Sequence, residues 1–366
     1  MPNQTFSLYL DVVRFLAAVL VLLYHSNWRE LITDQVPLGG YGHSAVIIFF
    51  VLSGFVIAYV SDVKEADAKS YAVNRLSRIY SVAIPVLLMT PLLDVWGESI
   101  NPVFYEDKTT HDLWYVRIFS SLLFLNEVWF VSIMSFSNVP YWSLCYEVWY
   151  YVIYAAYIFM RGWKRWVTIV SIALLLGPKI LLLFPLWLVG VAIYKWQITY
   201  NLSVFKACVL WLMSFVAFYG FHEYGVQYAL ADLLKAWGGD YLYEQLTFSK
   251  YFLSDYLLVP IIAINFIAFR RLSGLCPHMP QAVSRGIRYV SGFTFILYLS
   301  HQPLLQFYGA VINGNPDSLR FYLTVIGLVI ITVFALGFLT ERRKRTWKRF
   351  FDLLLSWKGR TRSLNT

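Results

Sequence analysis

Apolar positions gather in eleven blocks along this chain, at roughly 8–26, 42–60, 76–96, 112–125, 141–160, 166–178, 181–196, 204–222, 251–269, 287–309 and 320–340. Short stretches holding most of the charge separate them. Most of the blocks approach the ~20 residues that carry a helix across a bilayer, and few alternate in the manner of amphipathic surface segments. The pattern predicts an all-α, polytopic membrane protein. No internal repeat and no low-complexity run interrupts it. Residues 223–250 read as the one long external loop, aromatic and mixed in charge, suited equally to a glycan-facing surface and to a structural cap.

Charge placement orients the blocks. Cytoplasmic loops of membrane proteins carry an excess of Lys and Arg. With the N-terminus inside, "SDVKEADAKSYAVNRLSR" and "RGWKR" both fall inside only if an even number of crossings separates them. Block 112–125 is short and carries Arg117, so it is assigned a re-entrant or interfacial path. Of the 30 Lys and Arg residues, 22 then lie inside, seven outside and one, Arg14, within a helix. Ten crossings with both termini cytoplasmic follow. The tightest part is 166–196, which must cross twice in about 31 residues, at ~1.5 Å per residue.

Composition sharpens the picture. The chain is 59% hydrophobic and 14% charged, with mean hydropathy +0.58; soluble domains are about one quarter charged. The net charge of +9 sits between apolar blocks and in "ERRKRTWKRF", a placement that suits anionic lipid rather than nucleic acid. Cys145, Cys208 and Cys276 are scattered and form neither a disulfide framework nor a metal site. The first block carries Asp11 and Arg14 and lacks a basic leader and a small-residue cleavage site, so it reads as a retained helix rather than a signal peptide.

Polar residues inside apolar blocks are costly, and they mark the candidate chemistry. Arg14 and His25 stand eleven residues apart, which at about 100° per residue returns them to one face, about 16 Å apart along the axis. Each alone is also explained blandly, Arg14 by snorkelling or by pairing with Asp11, His25 as a helix end. Ser53 and Gly54, small residues among bulky ones, suit close helix packing or a gap for an acyl chain. Arg75 and Arg78 share one side of a helix start; they serve either as topology signals or as a grip on phosphates. Glu147, about two turns into its helix, needs a partner at that depth. A Glu147–His25 pair would fix the imidazole tautomer and raise its basicity; hydrogen bonds to nearby Tyr and Trp are the alternative. His301, just before Pro303, is a second polar group of the same region or a wet helix end.

Five stretches taken together resemble a known family. "LDVVRFLAAVLVLLYHS" (10–26), "FFVLSGF" (49–55), "RLSR" (75–78), "YWSLCYE" (141–147) and "LYLSHQP" (297–303) match, in order, the signatures of the acyltransferase-3 family of membrane acyltransferases. One departure is Val148, where the family usually has an acidic or polar residue. The resemblance implies about ten membrane helices within a transmembrane acyltransferase domain, placed at 1–340, followed by a basic cytoplasmic tail, 341–366. It implies transfer of an acyl group, mostly acetyl, from cytoplasmic acyl-CoA to a hydroxyl of a cell-surface glycan or glycolipid at the bacterial inner membrane. In that reading Arg75 and Arg78 hold CoA phosphates, and the pantetheine arm passes Arg14, Ser53 and Gly54. His25, oriented by Glu147, is the general base; His301 is a further catalytic candidate, Trp142 and Tyr146 meet the acceptor, and no metal is required. The competing expectation is a transporter or flippase that uses Arg14, His25 and Glu147 as a relay.

Overall fold

The computed structural model describes residues 3–106, 111–196, 202–277 and 279–360. Among them there is no strand, only one isolated bridge between Ser135 and Asn138. Fourteen α-helices carry the described residues, beginning with α1 (Gln4–His25), α2 (Gly42–Val63), α3 (Ala68–Ile100) and the nine-residue α4 (Trp114–Leu122). Then follow α5 (Tyr141–Phe159), α6 (Gly162–Leu176), α7 (Pro178–Lys195), α8 (Val204–Glu223), α9 (Val226–Gln245) and α10 (Phe252–Leu272). The chain continues with α11 (Gln281–Ser291), α12 (Thr294–Ile312), α13 (Leu319–Leu339) and α14 (Lys344–Arg360).

Among the described residues, seven segments are long and apolar enough to cross a membrane: Gln4–His25, Gly39–Val63, Ala68–Ile100, Pro178–Lys195, Val204–Glu223, Thr247–Leu272 and Leu319–Ser356. Helices α5, α6 and α12, which complete the ten of the sequence reading, fall outside this set for identifiable reasons. Helix α6 has 15 residues. Helix α5 is rich in Tyr and Trp, and α12 carries Ser300, His301, Gln302 and Gln306, all buried. Polar side chains facing protein rather than lipid lower the mean hydropathy of a helix without exposing those groups to hydrocarbon. At nine residues, α4 is too short to cross, in keeping with its non-crossing assignment.

Three sequence expectations are corrected. The block 287–309 is not one helix: Gly292 and Phe293 break it into α11 and α12. Residues 223–250 are not a loop but helical, with a kink at Gly239, whose φ of 77° suits a residue without Cβ. The segment 341–360 is not a free tail. Phe351 is buried and stacks on Tyr80 of α3 with centroids 5.7 Å apart, and Lys69 pairs with Asp352 at 2.9 Å. The last six residues of the expected tail, 361–366, lie outside the described residues.

Two contacts fix the frame around the site. Helices α2 and α7 cross so closely that a Cβ on Gly54 would stand 2.0 Å from the Trp187 carbonyl, and one on Gly190 2.0 Å from that of Val51. This is small-residue packing as membrane helices use it. At the start of α7, Lys179 forms a fully buried ion pair with Glu127 at 2.8 Å. Lys179 also donates to the carbonyl of Val131 at 2.7 Å, and Ser132 donates to the other carboxylate oxygen.

Candidate functional site

Seven helices, α1, α2, α3, α5, α11, α12 and α14, line a cavity of about 910 Å³. Arg14 enters it from α1, Ser53 from α2, Arg78 from α3, Glu147 and Tyr151 from α5, and Tyr298 from α12. Apolar side chains of α2, among them Val46, Phe49, Phe50 and Val56, form one wall. The mouth is cationic, with Lys64, Arg288, Lys344, Arg345 and Lys348 around it.

The polar groups inside are ordered by a chain of hydrogen bonds. Tyr151 donates its hydroxyl proton to the Glu147 carboxylate, since an ionised carboxylate only accepts. The Tyr151 oxygen is then left to accept from the Ser53 hydroxyl at 3.0 Å, and Ser53 in turn accepts from the Trp187 indole N–H at 3.1 Å. The chain Trp187–Ser53–Tyr151–Glu147 runs in one direction, and each bond polarises the next. Arg14 is paired with Asp11 at 3.1 Å. Arg78 lines the cavity and forms no salt bridge among the described residues.

At the α12 end of the cavity, Tyr298 and Ser143 share a 2.5 Å hydrogen bond. The Tyr298 ring lies 6.2 Å from that of His301. His301 Nε2 in turn meets His25 Nδ1 at 3.1 Å. The tautomers follow from the remaining partners. His25 Nδ1 faces the Val21 carbonyl and His301 Nδ1 the Leu297 carbonyl, both at 3.0 Å. A carbonyl only accepts, so each Nδ1 carries a proton. His301 Nε2 is therefore an acceptor from His25 Nδ1–H, and His301 is neutral. The lone pair of His25 Nε2 makes no hydrogen bond among the described residues, and that atom is not among the sealed, unpartnered polar atoms. The geometry leaves one lone pair without a protein partner on a histidine held by two contacts.

The position of His301 is built from further off. Pro303 has no N–H for the carbonyl of Leu299, four residues earlier. Asn138 supplies the missing donor at 2.7 Å. Asn138 is held because its neighbour Ser137 donates both its backbone N–H (3.0 Å) and its hydroxyl (2.6 Å) to the buried Asp94. Helix α12 thus runs unbroken through Pro303 and carries His301 into contact with α1.

The structure sorts the residues expected from sequence. Arg14, Ser53, Arg78 and Glu147 come together in the cavity. His25 and His301 pair outside its lining, next to Tyr298. The expected Glu147–His25 pair does not form: Glu147 is taken by Tyr151 and His25 by His301. Arg75 is spent on Glu65 at 2.7 Å and lies over Tyr71, buried in a small pocket that borders the large cavity at Arg78, Glu147 and Tyr151 and absent from the lining of the large one. Gly54 faces the α7 backbone rather than open space. Trp142 is buried and stacked on Phe248 at 4.6 Å, and Tyr146 is buried with its hydroxyl bonded to Ser249; neither presents a surface to an acceptor here. Sequence reasoning missed Tyr151, Tyr298 and Asn138, and it missed the α14 cations. For α14 a signal existed: Lys344, Arg345 and Lys348 gather on one side of the helix, flanked by Trp347 and Phe351.

The family model described as an acyltransferase domain matches residues 7–340 of this chain. No curated protein and no solved structure matches it.

Proposed function

The chain belongs to the acyltransferase-3 family, and from that premise we propose that it moves an acetyl group from cytoplasmic acetyl-CoA to a hydroxyl of a cell-surface glycan or glycolipid at the outer side of the bacterial inner membrane. It is a multi-pass membrane protein and an acyltransferase. The observation that carries the finer reading is the His25 Nε2 lone pair, left without a protein partner on a histidine that His301 links to Tyr298 in the wall of a cavity rich in cations.

The donor enters at that mouth, with its phosphates on Arg78 and its neighbours and its pantetheine arm against the apolar wall of α2. Arg14 and Glu147 lie along this path, Glu147 as a positioning group fixed by Tyr151 rather than as the orienter of His25. His25 Nε2 takes the proton of the acceptor hydroxyl as that oxygen attacks the thioester carbonyl, and the CoA thiolate leaves. His301 holds the imidazole in its Nδ1–H tautomer. General-base help of this kind contributes about 10²–10⁴-fold, and alignment of thioester and hydroxyl in a closed site supplies the remainder. No step calls for a metal.

Membranes holding the protein, given radiolabelled acetyl-CoA and candidate glycans, are expected to place label covalently in extractable glycan. Solute uptake with no covalent label contradicts this and returns the polar residues to a transport relay.

A further inference from the structure

We infer that the amphipathic helix α14, beyond the matched family region, is the phosphate clamp of the donor rather than a membrane-surface tail. The inference rests on the acyl-CoA reading above and adds residues and a ligand moiety to it.

Charge is the first ground. The cavity lining holds eight cations, of which Arg342, Lys344, Arg345 and Lys348 belong to the segment after α13, against two acids, Glu147 and Glu341. Arg78, Arg288, Lys344, Arg345 and Lys348 form no salt bridge among the described residues. Like charges drawn to one cavity repel, and a folded chain that gathers eight of them beside only two acids fits an anionic ligand. A CoA head brings a diphosphate and a 3′-phosphate monoester that is mostly dianionic at neutral pH, roughly four negative charges, with oxygens suited to Arg and Lys donors.

Placement is the second ground. A helix kept for lipid headgroups needs only to lie on the surface, whereas α14 is pinned to α3. Phe351 stacks on Tyr80, and Lys69 holds both Asp352 and Ser356 at 2.9 Å. At its start Arg342 lies over the rings of Tyr289 and Phe293, 4.7 and 5.0 Å from their centroids. That fixes the turn between α13 and α14 at the α11–α12 break. The cations between these two anchors are thereby presented to the cavity that also holds Arg14 and Arg78.

The test compares the full-length protein with its Arg345→Gln/Lys348→Gln variant, each in nanodiscs of zwitterionic lipid, for binding of CoA and of pantetheine. One charge-assisted hydrogen bond corresponds to about ten- to a hundredfold in affinity. The variant is expected to bind CoA at least tenfold more weakly and pantetheine unchanged, and Arg345→Lys/Lys348→Arg is expected to restore CoA binding. Equal CoA affinity in both proteins, the result a lipid-headgroup role gives, overturns the inference alone. Equal weakening toward CoA and pantetheine also overturns it, because the change then acts through the fold. A wild-type protein that binds no CoA overturns the donor assignment and this clamp together.

Discussion

His25→Ala is expected to leave a folded, membrane-inserted protein whose acyl transfer falls by about 10²–10⁴-fold, the usual contribution of a general base. The expectation comes from the tautomer argument. Both Nδ1 atoms are committed to carbonyls in the preceding turn, His301 Nε2 is committed to His25, and only His25 Nε2 keeps a free lone pair. His301→Ala removes the neighbour but leaves the Val21 carbonyl to hold the His25 tautomer, so its loss is expected to be smaller. The two variants separate base from support when kcat is measured at saturating donor. Wild-type turnover in His25→Ala removes this histidine from the chemistry. A larger loss in His301→Ala than in His25→Ala reverses the roles.

The largest effect on stability is expected at Lys179. Its ammonium group is wholly buried and satisfied by Glu127, by the Val131 carbonyl and by Thr247. Lys179→Met leaves Glu127 as a buried carboxylate without a counter-charge, a change of about 3–5 kcal/mol. Burial already pushes the Glu127 carboxyl above its ordinary range, and Lys179 and Ser132 draw it back; removing Lys179 raises it further. An acid whose folded pKa exceeds its unfolded value of about 4.3 costs stability only above that pH. The deficit should therefore grow as pH rises from about 4 and fade in acid. Thermal unfolding in detergent at pH 5 and pH 8 reads this, and Lys179→Met/Glu127→Gln should recover much of the loss at pH 8. A pH-independent deficit, or none, would mean that the pair is not what holds residues 126–132 to the start of α7.

The helical, membrane-spanning character and the family were legible because they rest on patterns along the chain: long apolar blocks and five ordered motifs. Partners across the bundle were not. Glu147 and His25 were matched by depth along their helices, but depth says nothing of the direction in which each side chain points. Glu147 has Tyr151 one turn away on its own helix, and His25 is met from α12. Apolar residues run through 287–309, so hydropathy alone could not show the break at Gly292. The α14 cations carry the same charge pattern at a lipid surface and at a cavity mouth, and only the contacts with α3 tell them apart. For Gly54 two readings stood open from sequence, and the closeness of α7 leaves it to helix packing. Arg75 and Arg78 are equivalent in sequence; Glu65, on the preceding turn, distinguishes them.

The central claim is that donor and acceptor use opposite ends of one site, the thioester entering past Arg78 and α14 and the hydroxyl meeting His25. Sealed vesicles of known orientation test it. Asn27→Cys, in a Cys208→Ser/Cys276→Ser background because those two native thiols are not buried, marks the His25 end for a membrane-impermeant maleimide. With vesicles whose α14 face points outward, external radiolabelled acetyl-CoA should label acceptor enclosed in the lumen, while the maleimide reaches residue 27 only from that lumen. Acyl transfer that occurs only when acetyl-CoA is supplied on the face where residue 27 reacts would contradict the account.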